Sequence, residues 1–165
     1  MVSRGSVVLC VLGLLSSAVV TGCGSGGPQK VIPEKAVPVT GTVTLDGKPL
    51  DNARVTFYPS SSAQGDGSSG TTDSAGKYEL QSVFGSEVVV GAAPGKYKVV
   101  ISRMVRPDGS PMPPDSQEPP IMSGAREGIA LKYSGFSTTE LTANVASSGG
   151  TFDFALKSGG AAGIP

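Results

Sequence analysis

A chain of 165 residues with two cysteines, no histidine and no tryptophan has a narrow repertoire of side-chain chemistry. Without an imidazole there is no histidine general base, proton shuttle or metal ligand, which excludes Ser-His and Cys-His catalysis. A hydrolase built on one of the abundant serines would need a lysine or a carboxylate as its base. Cysteine is the reactive type that remains. Cys10 lies inside an apolar run, whereas Cys23 stands where that run gives way to glycine, in VVTGCGSGG. A thiol ionises to a thiolate and can be alkylated where a serine hydroxyl would react far more slowly. Asp66, Asp73 and Glu79 could offer oxygens to calcium, but their spacing matches no calcium loop and Asp73 opens a turn sequence, so no metal site is expected. Tyr58, Tyr78, Tyr97 and Tyr133 could stack on sugar rings. Alternation places Tyr78 and Tyr97 on core faces, so a carbohydrate site would need an exposed, coplanar Tyr58–Tyr133 pair. None of these residues implies a cofactor.

The elements that position Cys23 come first in the chain. Met1 to Ser6 carries Arg4 and the amino terminus, and Val7 to Val20 follows without a charge, the layout of a secretory leader. The run is shorter than the roughly 20 residues needed to span a bilayer. Gly13, Ser16 and Ser17, with no polar face opposite them, argue against a core helix. Val20-Thr21-Gly22-Cys23 resembles the bacterial lipobox. That resemblance implies recognition of Val20, Thr21 and Gly22 by a signal peptidase, a diacylglyceryl group on the Cys23 sulfur, and cleavage just before Cys23. The rival readings are a Cys10–Cys23 disulfide and ordinary secretory cleavage that leaves a free thiol. Loss of Cys10 with the leader would leave Cys23 no partner within the chain. Several acyl chains on one residue suffice for stable anchoring. Residues 23–37 then read as a lipidated, flexible tether with a reach of roughly 20 Å. No acidic residue immediately follows Cys23, which by the sorting rule of bacterial lipoproteins implies the outer membrane, facing the periplasm or the cell exterior. The membrane is thus the first expected partner, with an envelope protein or polysaccharide beyond it. A net charge of zero and the lack of an aromatic ladder among basic residues exclude nucleic acid as an expectation.

From Val39 the pattern changes to strict alternation. Val39, Gly41, Val43 and Leu45 share one face and Thr40, Thr42 and Thr44 the other, predicting a half-buried strand that ends at Asp46-Gly47. Ala53, Val55 and Phe57 alternate with Arg54, Thr56 and Tyr58 as far as Pro59, and are expected to return beside the first strand as a hairpin. Ser60 to Gly70 reads as a polar loop. Thr71-Thr72, the turn at Asp73 to Gly76 and the pair Tyr78 and Leu80 predict a second hairpin. Val88 to Val90 is ambiguous, and Tyr97, Val99 and Ile101 form a further strand. Leu141, Ala143 and Val145, then Phe152, Phe154 and Leu156, predict a closing hairpin with Asp153 on the solvent side. Alternation throughout, with no amphipathic helix, predicts one all-β antiparallel sandwich of about seven strands over 38–157, followed by a flexible tail over 158–165. Met104 to Phe136 is a long insertion whose prolines deny ladder hydrogen bonds, so a solvated, partly polyproline connection is expected. It is also the candidate partner-binding loop, with Arg103 and Arg106 as anchors.

Taken in order, GTVTLDGKPLDNARVTFYP, TTDSAGKYEL, APGKYKVVIS and STTELTANV followed by TFDFAL resemble the carboxypeptidase regulatory-like domain, in the form found in small bacterial lipoproteins. The resemblance covers Val37 to Lys157. It implies a transthyretin-like, prealbumin-type sandwich and a non-catalytic accessory role. Enzymes of transthyretin-like fold that hydrolyse 5-hydroxyisourate depend on histidines and a Tyr-Arg-Gly-Ser segment, and the chain contains neither. The expectation is a lipid-anchored, non-enzymatic module of the bacterial envelope that serves interaction or structure, with a surface carbohydrate-binding module as the alternative.

Overall fold

Alternating faces become strands wherever the apolar set finds a second layer to pack on, and here nearly every alternating run does so. A computed structural model describes residues 36–60, 67–84 and 87–158. The expectations for the leader, for Val20, Thr21, Gly22 and Cys23, for most of the tether, for Asp66 and for most of the tail lie outside the described residues. In chain order the elements are β1 (Val39–Leu45), β2 (Lys48–Pro49), β3 (Arg54–Pro59), β4 (Ser68–Thr71), β5 (Lys77–Glu79), β6 (Gln81–Phe84), β7 (Glu87–Val90), β8 (Gly95–Ser102) and β9 (Met104–Val105). They continue with the single helical turn α1 (Pro120–Ser123), β10 (Arg126–Glu127), the turn α2 (Leu131–Ser134), β11 (Thr142–Val145), β12 (Gly150–Thr151) and β13 (Phe154–Leu156). The fold is mostly β, as expected, with thirteen strand pieces among the described residues, several of only two residues.

One sheet gathers β12, β2, β5 and β13 around β1, and the other runs β11-β8-β3-β4-β6-β7. Their inner faces share one core: Val39, Val43, Phe154 and Leu156 from the first meet Val55, Phe57, Tyr97, Val99, Ile101 and Val145 from the second. The Phe57 ring lies at the junction, with centroids 5.7 Å from Tyr97, 5.9 Å from Phe152 and 6.3 Å from Phe154. The polar Ser68 and Ser82 are also buried. Ser82 donates to Gly91 O at 2.7 Å, so Ser68 is the donor in the 2.6 Å contact between the two hydroxyls.

The strands stand where alternation puts them, but their neighbours differ from the three expected hairpins. Asp46 and Gly47 do make a tight turn, both at positive φ (51° and 79°), as a two-residue hairpin loop requires. The strand that returns is only β2: Leu50 N–H still bonds Val43 O at 3.0 Å, but the Val43 N–H is taken by Gly76 O at 2.8 Å, so the pairing goes no further. Asn52, also at positive φ, turns the chain into the second sheet, where β3 pairs with β8 and β4. Residues 68–70, expected as the end of a loop, therefore join Thr71 in a strand. β5 and β6 are one run that changes sheets at Leu80, whose N–H bonds Val39 O while its carbonyl accepts from Gly91 N–H. Instead of a closing hairpin, β11 joins β8 antiparallel, whereas β12 and β13 join β1 in parallel, a departure from the all-antiparallel expectation.

The insertion is folded rather than a polyproline connection. β9 and β10 pair as a short ladder, and Met112 and Ile129 are buried. Its place matters for function. The chain enters at Val37, a core residue rather than a tether residue, which exchanges backbone hydrogen bonds of 2.9 and 3.0 Å with Ala92, just ahead of β8. The insertion leaves the other end of β8, about 27 Å away at ~3.4 Å per residue.

Candidate functional site

Among the described glycines, the one set closest to a neighbouring backbone is Gly41, in the middle of β1. Residues 150–156 run parallel to β1 with one register before and after this point, Val39 opposite Gly150 and Val43 opposite Phe154. Between the two ladder pieces one backbone bond and two side-chain bonds fill the gap. Asp153 Oδ1 accepts the Thr42 N–H at 2.7 Å, Phe152 N–H donates to Thr40 O at 2.8 Å, and the Phe152 carbonyl accepts the Tyr78 hydroxyl at 2.7 Å. A Cβ on Gly41 would sit 1.8 Å from Phe152 O and 2.8 Å from Tyr78 Cε1. Only glycine leaves room for both. Burial pushes the Tyr78 phenol pKa far up and the Asp153 charge adds to the shift, so the hydroxyl remains a donor.

Over this point lies an open groove of about 500 Å³ lined by Thr40, Thr42, Thr71, Asp73, Lys77, Glu79 and Thr151, with Gly41 and Tyr78 in its floor. Cross-strand register sets Thr151, Thr40 and Glu79 side by side and Thr42 beside Lys77. Hydroxyls, one ammonium and one free carboxylate can hydrogen-bond a polar ligand. Asp73 is otherwise engaged: its Oδ1 accepts the N–H groups of Ala75 and Lys77 at 2.8 and 2.9 Å, which is the turn role expected of it. Among the described residues no three acidic or thiol groups gather to hold a metal ion.

The structure turns Arg103 and Arg106 inward on the chain itself. Arg103 donates from Nε to Asp51 O and from Nη2 to Asp51 Oδ1, both at 2.8 Å. Its backbone N–H and the Ser102 hydroxyl are taken up by the two oxygens of Glu127. The Asn52 amide first, and Arg103 second, hold the Asp51 carboxyl below its usual range. Arg106 donates to Pro111 O at 3.2 Å and lies 3.7 Å from Glu118. Both guanidinium groups thus brace the insertion. What that end of the molecule shows to solvent is Ile121, 87% exposed, and Met122, 76% exposed. The sequence reading missed them; the signal was an apolar pair directly after Pro119-Pro120 in an otherwise polar stretch.

The tyrosines do not assemble as a platform. Tyr58 meets Phe136 edge-on at 5.1 Å and 76°, with the Lys98 ammonium 5.1 Å from the same Phe136 ring. Tyr133 accepts the Lys157 N–H and carries the Lys132 ammonium 5.0 Å from its ring centre. Tyr78 and Tyr97 are buried, as alternation predicts, and the Tyr97 hydroxyl donates to Ala93 O at 2.7 Å.

Comparison of the chain with protein-family models, with curated proteins and with solved structures found no match. Among the described residues no helix is long and apolar enough to cross a membrane.

Proposed function

We propose that the protein is a lipid-anchored, non-enzymatic module of the bacterial cell envelope, of the carboxypeptidase regulatory-like, prealbumin-type sandwich class, that holds its insertion out toward a partner. The observation that carries this reading is the polarity of the domain. The chain arriving from the lipobox cysteine enters at Val37, and the insertion with Ile121 and Met122 rises from the opposite end of β8. A tether at one end and exposed apolar side chains at the other suit a display role at a membrane surface, the outer membrane by the residues after Cys23. Anchoring is tested by Cys23→Ser. The expected product is a full-length precursor that incorporates no labelled fatty acid, and a serine variant still processed and lipidated would sink the reading.

A second reading, a carbohydrate-binding module, draws support from the groove rather than from the tyrosines. Threonine hydroxyls in cross-strand rows beside Lys77 and Glu79 offer donors and acceptors at strand spacing. Under this reading, Thr40→Val with Lys77→Ala abolishes retention on immobilised envelope polysaccharide while leaving the unfolding curve in place. Retention equal to that of the unaltered protein would remove it.

A further inference from the structure

We propose that the β6–β7 hairpin is a second membrane contact, an apolar foot that rests on the lipid surface in which the Cys23 acyl chains are buried. The inference rests on the anchoring reading above. Register places Val83 opposite Val88 and Gln81 opposite Val90, so Val83, Val88 and Val90 share one face of the hairpin, at 55%, 63% and 50% exposure. The alternating strands of both sheets bury one face, whereas β7 buries neither. It is also the last strand of its sheet. Because Gly91 N–H bonds Leu80 O, the hydrogen-bonded positions on β7 alternate from Gly91, and the backbone groups of Val88 and Val90 point away from the sheet. Soluble proteins usually blunt such an edge with charge or proline. Here Glu87 is the single charged residue among 81–84 and 87–90.

The place where the chain enters says what covers this face. The hairpin is rooted at Leu80 and Gly91, Leu80 N–H bonds Val39 O, and Ala92 pairs with Val37. Residues 24–36 alone separate Val37 from Cys23, with a reach of roughly 20 Å. The valines therefore lie within reach of the surface that holds the acyl chains, while Ile121 and Met122 rise from the far end of β8. A second copy of the chain is a poorer occupant. A four-residue edge falls well short of the ~800 Å² per partner of a stable interface. Beside an anchor even a weak contact is populated, because it forms within one tethered molecule. The outward backbone groups of Val88 and Val90 keep the contact at headgroup depth, since burying them unpaired in hydrocarbon is costly. With no cation on the hairpin, the contact needs no anionic lipid and resists salt.

The experiment uses the full lipidated chain carrying Val88→Cys, labelled with an environment-sensitive fluorophore in phosphatidylcholine vesicles. Ile121→Cys is the far-end control, and Val90→Cys is a second reporter should the first fold poorly. The expected result is a blue-shifted Val88 label, quenched by headgroup-depth nitroxide lipid, shielded from aqueous iodide and unchanged by salt, while the Ile121 label is quenched by iodide alone. A Val88 label as open to iodide as the control overturns the proposal. So does one shielded from both quenchers in a particle of doubled mass, which would make a second copy the occupant. The mass of the mature chain reads the anchor separately. Absence of acyl mass on Cys23 fails the anchoring reading and the foot with it, whereas an acylated chain with an iodide-open hairpin fails the foot alone.

Discussion

At Asp153 a single carboxylate does what a strand neighbour would otherwise do. Its contact with the Thr42 N–H closes the gap between β12 and β13 and frees the Phe152 carbonyl for the Tyr78 hydroxyl. Asp153→Ala should cost about 0.5–1.5 kcal/mol, the net worth of one hydrogen bond where water can partly replace it. Asp153→Asn, which keeps an acceptor, should cost less in the same chemical denaturation. Phe154→Ala, one residue on, should cost about 3–5 kcal/mol, because it empties space beside Phe57 and Tyr78 in the shared core. Gly41→Ala belongs above about 4 kcal/mol, among the exceptional single substitutions, since the clash is with a backbone carbonyl that cannot rotate away. Tyr78 gives the pair a pH signature. Its pKa in the folded state is raised above the unfolded value of ~10, so the stabilisation is complete below pH 10 and is lost as the pH rises beyond it. The stability gap between the unaltered protein and Tyr78→Phe should be constant from pH 7 to 9 and narrow above pH 10; a gap that holds steady to pH 11 would contradict the assignment.

Between elements, the clamp from Asp51 to Arg103 and Glu127 ties the start of β3 to the root of the insertion. The Asp51 carboxyl is lowered from its ordinary value, so its contribution is present above about pH 4 and is lost as the pH falls through the lowered value. Asp51→Asn should therefore be less stable than the unaltered protein at pH 7 and nearly level with it at pH 2.5 in parallel denaturation curves. With Asp51 more than a third exposed, the difference at pH 7 is small. Such cross-chain ties were not legible in the sequence, while the strands they join were. Val39 and Val43, Val55 and Phe57, Tyr97, Val99 and Ile101, and Phe154 and Leu156 all point inward as their alternation requires. Alternation fixes a face and is silent on the neighbour. Gly76 O takes the Val43 N–H and ends the first hairpin after two residues, Leu80 carries a run from one sheet to the other, and β13 reaches β1 in parallel across more than a hundred residues. The candidate groove shared that fate, because Thr40, Glu79 and Thr151 are neighbours only through pairings that no local pattern announces. Arg103 and Arg106 illustrate the converse: their charge and loop position marked them as anchors, and the structure supplies each with a partner inside its own chain.

For the whole molecule, the question is whether the insertion is part of the sandwich or an attachment to it. Met112 is buried yet lies outside the cluster that unites the two sheets, whereas Ile129, later in the same insertion, belongs to it. The contacts that reach the body from residues 106–125 include the Arg54 Nη2 bond to Pro114 O at 2.7 Å. Residues 103, 127 and 129, which hold Asp51 and enter the core, lie outside that stretch. Val105 already faces Arg126 across the β9–β10 ladder, so an Asn-Gly turn can join them directly as a two-residue hairpin. Replacing about twenty residues by two lowers the closure entropy by roughly (3/2)RT ln 10, about 2 kcal/mol, which offsets the loss of the Met112 contacts. The shortened protein should unfold in one cooperative transition, within about 2 kcal/mol of the original. It should also lose any envelope partner that cross-links to a reporter at Ile121 in the intact chain. A shortened protein that no longer unfolds cooperatively would place the insertion inside the single core. One that folds and retains the same cross-linked partner through another surface would move the display role away from this end of the domain.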